Sequence, residues 1–333
     1  VLKPGISELL QEELEIWFQL GGFLDERCAS HHLPKLSYRE TFDQLRSLLL
    51  REIQLQLEQS NLKRAASFFA DSPDIWIPEL LPLCTSRITA MEYIPGRKVT
   101  QASHLSEYKR RKLAETMLTS LMAKPMWDRE EIAFFHADPH GGNLLLSPDG
   151  RLGILDWSLL TSLDKKQRSG LVQIALGALS LDEAFVCQRL EDLAASGPKQ
   201  EALKSVVARE IGRLRCGAFP GFSWLLGLLD RAATEAGLNF PESMALFRKA
   251  LHTLLGLAAD VSESCSPDSV LLGSGLRQFA VEWPQRMVSP AYSRSFGTHV
   301  STADIAGLLL ASPLLPLKAW NGWWQDALQS HSL

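Results

Sequence analysis

A chain of 333 residues with 46% apolar and 22% charged side chains holds enough material for about two domains at roughly 150 residues each, and this composition excludes a disordered protein. Its formal charge of −4 gives no global attraction to nucleic acid, and no arginine-rich stripe with interleaved aromatics supplies a local one, so no nucleic-acid partner is expected. Five cysteines (Cys28, Cys84, Cys187, Cys216, Cys265) lie far apart without a CxxC pair, which reads as free thiols of a reducing, cytoplasmic-type compartment rather than a disulfide framework or a zinc site.

No signal or transit peptide pattern precedes the first apolar stretch, and the chain opens on Val1 rather than Met, as a processed chain or a fragment would. Ile6 to Leu20 carry apolar residues at helical spacing behind Pro4-Gly5 and predict a helix. Tyr38 to Phe69, free of Pro and Gly, predicts a second helix, broken or bent near its middle and ended by the turn Asp71-Ser72-Pro73-Asp74. Ile75 to Leu83 and Arg87 to Ile94 are short and rich in branched and aromatic residues. They predict two paired strands ending at Pro95-Gly96.

A helix is expected from Leu105 to Met126. Beyond Phe134-Phe135, the segments Leu144–Leu146 and Leu152–Leu155 flank Ser147-Pro148-Asp149-Gly150 as a hairpin. From Asp164 to about Val261 the pattern is almost all helix, with breaks at Gly197-Pro198 and Phe219-Pro220-Gly221. The prolines at 267, 284, 290, 313 and 316 predict an irregular remainder. No internal repeat is evident. The order predicts an α+β protein, a small mixed lobe followed by a helical one.

The chemistry concentrates in FFHADPHGGNLLLSPDGRLGILDWS. Phosphoryl transfer needs a carboxylate near the attacking hydroxyl and oxygen ligands for Mg²⁺ on the nucleotide's phosphates. Asp138 and Asn143 lie five residues apart on a loop, and Asp156 ends the hairpin's second strand, so a tight hairpin brings Asp156 back beside Asn143. H-x-D-x-x-x-x-N, with an Asp eighteen residues after the first, is the spacing of a kinase catalytic loop and metal aspartate. Asp138 then accepts the substrate proton or orients the hydroxyl, and Asn143 and Asp156 bind metal. His136, grouped with Asp138 as a catalytic-loop residue, reads as an architectural residue bonded to backbone near Asp156 rather than as a general base. His140 is either a supporting contact or a plain surface residue, and Gly141-Gly142 let backbone approach the phosphates.

HADPHGGN followed by ILDWS resembles the UbiB/AarF/ADCK family of atypical protein-kinase-like proteins. VLKPGI, EIQLQLEQSN, RITAMEYIPGRKV and LFRKALHTLLGL resemble further family segments in the same order. The resemblance implies a bilobal kinase-like fold: residues 1–94 as a remnant of the small lobe, 95–265 as the large lobe, and 266–333 as an irregular or helical extension. It implies ATP and Mg²⁺ as cofactors and a role in ubiquinone or other prenylquinone biosynthesis, with a small lipid-like substrate. Carried over residue by residue, Glu58 pairs with the nucleotide-binding lysine, Glu52 matches the first acid of an E-x-D pair, and Met91, Glu92, Tyr93 and Ile94 match the hinge that meets adenine.

Departures from the family pattern are Gln54 for the aspartate of E-x-D, Trp157-Ser158 for the Phe-Gly after the metal aspartate, and Gly141 for a proline. The phosphate-binding lysine is expected immediately before Val1, which implies a longer natural protein. Two other readings compete: a small-molecule kinase of the aminoglycoside or choline type, which Trp157 fits, and a pseudokinase scaffold, toward which Gln54 and Ser158 lean.

His31-His32 reads as a turn, because no third metal ligand lies at a useful spacing. Ile305 to Leu317, interrupted by two prolines, is too short to span a bilayer. With Trp320, Trp323 and Trp324 it either packs on the helical lobe or touches a membrane surface, in the cytoplasm or inside an organelle.

Overall fold

The computed structural model describes residues 5–27, 38–39, 42–43, 46, 49–50, 53–197 and 200–311. Glu52, His31-His32 and the segment with Trp320, Trp323 and Trp324 lie outside the described residues. The fold is α+β, and the chain divides into two compact units. One comprises 1–104 and 140–160, the other 105–139 and 161–333.

In the first unit, α1 (Ile6–Arg27) and α2 (Leu55–Phe68) accompany a four-stranded sheet of β1 (Ile75–Trp76), β2 (Arg97–Lys98), β4 (Leu144–Leu146) and β5 (Leu152–Ile154), in the order β1-β5-β4-β2. The expected break in the second helix falls at Ile53-Gln54, just before α2 begins. The sheet core is apolar because Leu144, Leu152 and Ile154 are all fully buried. Gly153 sits between the last two, and a Cβ there would come 3.1 Å from the Ile94 Cγ2, a tight approach that glycine avoids as Ile94 packs on β5.

Two long strands over Ile75–Leu83 and Arg87–Ile94 do not form. β1 is two residues long and pairs in parallel with β5. The rest of the ribbon is held by a single antiparallel bridge, Leu80 to Met91, and by the bonds from Leu81 N to Ala90 O (2.8 Å) and Glu92 N to Glu79 O (2.8 Å). Pro78 and Pro82 remove the donors that a continuous ladder needs.

In the second unit, helical chain runs over 107–126 as expected, with a π-turn at Thr119–Ala123 between α3 (Glu107–Leu118) and a last short turn. β3 (Ile132–His136) pairs with β6 (Leu160–Asp164). The helices α4 (Lys165–Leu179), α5 (Glu183–Leu193), α6 (Gln200–Arg215), α7 (Phe222–Thr234) and α8 (Glu242–Val261) follow. A capping box of Asp164 and Gln167 starts α4. Along α8 the buried Met244, Phe247, Leu251, Leu254 and Ala258 recur every three or four residues, making the stripe of a core-facing helix.

The irregular chain expected beyond residue 266 is corrected for Pro267–Met287, which is the helix α9. Pro267 occupies its first turn, where no amide donor is required, and Pro284 comes only in the last turn. Thr302–Ala311 forms α10. No helix of the described residues is long and apolar enough to cross a membrane.

Candidate active site

The hairpin forms as its turn chemistry dictates. Gly150 adopts φ +90 and donates to Ser147 O, and the antiparallel register pairs Leu144 with Ile154. One step further out, Leu155 N donates to Asn143 O at 2.8 Å. That bond places Asn143 and the residue after Leu155, Asp156, at the same end of the hairpin, as the sequence spacing suggested. Asn143 is buried, and its N–H donates to His140 O at 2.9 Å. The glycine at 142 has a local cause. The His140 ring folds over it, with Gly142 N donating to Nδ1 at 2.9 Å, and a Cβ there would fall 2.5 Å from the ring.

Asp156 has φ 55, the left-handed region where a non-glycine residue stores strain of about 1 kcal/mol or more. Its Oδ1 accepts from Ser158 N (3.2 Å) and Ser158 Oγ (2.6 Å). Its Oδ2 makes no hydrogen bond among the described residues. Trp157 is buried, stacks obliquely on Phe69 at 6.2 Å, and donates its indole N–H to Ile154 O at 3.2 Å. The Trp157 carbonyl accepts from the side-chain amide of Asn61, itself buried, at 2.9 Å.

Asn61 lies one helical turn after Glu58 on α2. The Glu58 Oε2 accepts from Thr89 Oγ1 at 3.0 Å, and the Gln59 amide donates to Thr85 O and Ile88 O. Burial pushes the Glu58 carboxyl above its ordinary range; the Thr89 bond pulls it partly back, and the negative charge of Asp156 raises it again. The ionised form therefore costs stability at neutral pH, a cost absent below the ordinary carboxylate pKa that grows as pH rises through the folded-state value. Glu58→Gln, which can still accept from Thr89, is expected to unfold at a higher temperature than the parent at pH 7 and at a similar one near pH 4. Equal differences at both pH values would contradict this.

Of the four residues expected to form a hinge, Ile94 is buried and Tyr93 is 82% exposed. Met91 sits in the bridge to Leu80, and the Glu92 carboxylate accepts from the Trp76 indole at 3.0 Å. The Glu92 side chain thus fastens the ribbon.

The remaining two predicted residues belong to the second unit. His136 ends β3 and is buried; its Nδ1 accepts from Asp138 N at 3.2 Å, a backbone bond within its own loop rather than one to the chain near Asp156. Phe135, just before it, meets Phe247 of α8 edge-on at 4.8 Å. That packing brings the next outward residue of α8, Lys249, to 3.3 Å from Asp138 Oδ1. Lys249 is more than half exposed and Asp138 is about one-third exposed, so the pair contributes little to stability, about 0–1 kcal/mol. It does give Asp138 a cation that the HADPHGGN loop itself does not contain.

Three residues were missed in the sequence. Asn61 closes the EIQLQLEQSN segment and could have been noticed there. Ser158 was read only as a lost glycine. Lys249 is 111 residues from Asp138, and although it lies in the LFRKALHTLLGL segment, nothing there points to Asp138 as its partner.

Magnesium is hard and prefers oxygen, usually taking one or two protein ligands while phosphates and water complete an octahedron. The Asn143 amide oxygen and Asp156 Oδ2 supply that kind of donor pair. Among the described residues no group of three or more His, Cys, Asp or Glu could hold a metal ion, so a closed all-protein cage is not what these residues build. The donor set fits Mg²⁺ carried with a nucleotide.

Residues 1–190 match the family model described as ABC1 atypical kinase-like domain. Among curated proteins, the chain is 29% identical over 173 residues to the chloroplastic Protein ACTIVITY OF BC1 COMPLEX KINASE 3 of Arabidopsis thaliana, covering 52% of this chain and 24% of that protein. It is 23% identical over 312 residues to the probable protein kinase UbiB of Aliivibrio fischeri, covering 87% and 54%. An uncharacterised Synechocystis protein, sll0005, is 30% identical over 151 residues, covering 42% and 20%. The chain thus spans between a fifth and about half of the length of these relatives. Among solved structures, the Rv3197–erythromycin complex from Mycobacterium tuberculosis matches with a TM-score of 0.54 at 19% identity, covering 78% of this chain and 66% of that one, a likeness of fold.

Proposed function

The chain belongs to the ABC1 atypical kinase-like family, that of the UbiB and AarF kinases, and from this premise we propose that it is an ATP- and Mg²⁺-dependent phosphotransferase or ATPase. The observation that carries the proposal is the Leu155-to-Asn143 bond, which sets an amide and a carboxylate at one end of a hairpin. Asn143 and Asp156 would hold Mg²⁺, which would supply positive charge to the nucleotide's phosphates.

The chain's own groups have separate tasks. Asp138 orients an acceptor hydroxyl or water and takes its proton, while the bond from its own amide to His136 fixes the loop backbone. Lys249, 3.3 Å from Asp138 Oδ1, gives that carboxylate a cationic neighbour. Glu58 is the acid on α2 for the phosphate-binding lysine that family members carry. The name UbiB among the relatives suggests a role in ubiquinone biosynthesis, and a small lipid-like acceptor is what the family resemblance adds to this reading.

The test is equilibrium binding of ATP to the intact protein with and without Mg²⁺. Binding should require Mg²⁺ and should be abolished by Asp156→Ala, with the thermal midpoint of the apo protein kept within a few degrees. ATP binding that is indifferent both to Mg²⁺ and to the substitution would instead favour a binding scaffold without turnover.

A further inference from the structure

The residues that replace the usual Phe-Gly after the metal aspartate make more contacts than that pair could. Ser158 donates twice to one oxygen of Asp156, from its backbone N–H at 3.2 Å and from its hydroxyl at 2.6 Å. Glycine could give only the first of these bonds. The next link back, Trp157, is fixed at both ends, because its indole donates to Ile154 O and its carbonyl accepts from the buried Asn61 amide. Asp156 itself stands at φ 55, a backbone state that persists only where the surroundings hold it. All these contacts lie within one compact unit.

A carboxylate so held has spent Oδ1 on two donors and has Oδ2 left to offer. An unheld carboxylate can turn and present both oxygens. The difference matters for metal choice. Ca²⁺ takes six to eight oxygens at about 2.3–2.6 Å and readily accepts bidentate carboxylates. Mg²⁺ demands near-octahedral geometry at about 2.0–2.1 Å, which a single oxygen satisfies and a bidentate carboxylate distorts.

We propose that Ser158 and Asn61 are positioning residues that lock Asp156 into one-oxygen presentation and thereby set a preference for Mg²⁺ over Ca²⁺. This rests on the reading of Asn143 and Asp156 as the metal ligands. Ser158, seen in the sequence as a step toward inactivity, is then a device for metal selection. Asn61 ties that device to α2, the helix that also bears Glu58.

The experiment measures nucleotide binding by the intact protein while free Mg²⁺ and, separately, free Ca²⁺ are titrated. Residues that orient metal ligands typically matter about 10- to 100-fold in metal affinity. Ser158→Ala is expected to raise the half-saturating Mg²⁺ concentration about tenfold and that of Ca²⁺ much less, so the Mg²⁺-over-Ca²⁺ preference falls by nearly the same factor. Ser158→Thr, which restores a hydroxyl, should return the preference to within about threefold of the parent.

Asn61→Ala should act in the same direction and speed amide exchange over Trp157–Leu159. If Asn61→Ala fails to fold, the Ser158 pair still decides the matter. An unchanged metal preference in Ser158→Ala, with Mg²⁺-dependent binding intact, overturns the lock and leaves the metal ligands standing. Absence of Mg²⁺-dependent binding in the parent protein overturns both.

Discussion

Asp138→Asn is expected to lower phosphoryl transfer or ATP hydrolysis by about a hundred- to ten-thousand-fold while leaving Mg²⁺-dependent nucleotide binding within about twofold of the parent. The substitution keeps the size and planarity of the side chain and leaves the backbone bond to His136 untouched. It removes the negative charge that takes a proton and that Lys249 holds at 3.3 Å. Because that ion pair is half exposed, its loss should shift the unfolding midpoint by only a degree or two. The assay pairs a steady-state rate with a binding isotherm on one preparation. A fall in both together would mean that Asp138 belongs to nucleotide binding rather than to the acceptor side.

The second large effect concerns acid stability. His299 is fully buried at φ 56, its Nε2 faces Met126 O at 2.9 Å, and it lies 3.3 Å from the guanidinium of Arg168, which is also fully buried. Burial, with the positive charges of Arg168 and Lys165, pushes its pKa down to about 4; the Met126 carbonyl and Glu282 pull the other way. The native state holds this ring neutral. The unfolded chain, titrating near 6.5, takes up a proton that the folded chain refuses.

Stability from this group is therefore complete above pH 6.5 and drains as pH falls toward 4. The difference between 6.5 and about 4 corresponds to roughly 3 kcal/mol in all. His299→Asn, which tolerates a positive φ, should be less stable at pH 7 but should lose less on going to pH 4.5. Urea midpoints at the two pH values measure this, and an identical pH slope in both proteins would refute the assignment. The stakes are structural, because Arg168 also donates to Asp128 O and Glu130 O, fastening α4 to the chain that enters β3 and the Asp138 loop.

The readable part of the site was that set by short-range rules. The hairpin could be read because Ser147-Pro148-Asp149-Gly150 is a turn with a mechanism and its flanks are apolar; Asn143 and Asp156 follow from counting residues on either side of it. Helical periodicity similarly announced α2, α3 and the run from α4 to α8. The branched residues of 75–94 favour strand, but Pro78 and Pro82 leave the ladder without donors, so only β1 and the Leu80–Met91 bridge form. At α9 the prolines mislead in the opposite direction, because Pro267 sits at a first turn and tolerates the helix.

Long-range contacts were not legible. Lys249 meets Asp138 only because Phe135 and Phe247 pack β3 against α8, and no pattern near either residue encodes that. The Ser158 bond to Asp156 spans two residues, yet its value depends on the left-handed backbone at 156, which composition does not announce. Asn61 reads as one more polar residue of an amphipathic helix until the Trp157 carbonyl arrives from 96 residues away.

The most direct measurement is a crystal structure of the intact protein with a nonhydrolysable ATP analogue and Mn²⁺, located by its anomalous scattering. A Mn²⁺ peak is expected with Asn143 Oδ1 and Asp156 Oδ2 both within about 2.0–2.4 Å, and with Asp156 Oδ1 still bonded to Ser158. A peak that touches neither residue, or an Asp156 turned away while nucleotide is bound, would contradict Asn143 and Asp156 as the metal ligands.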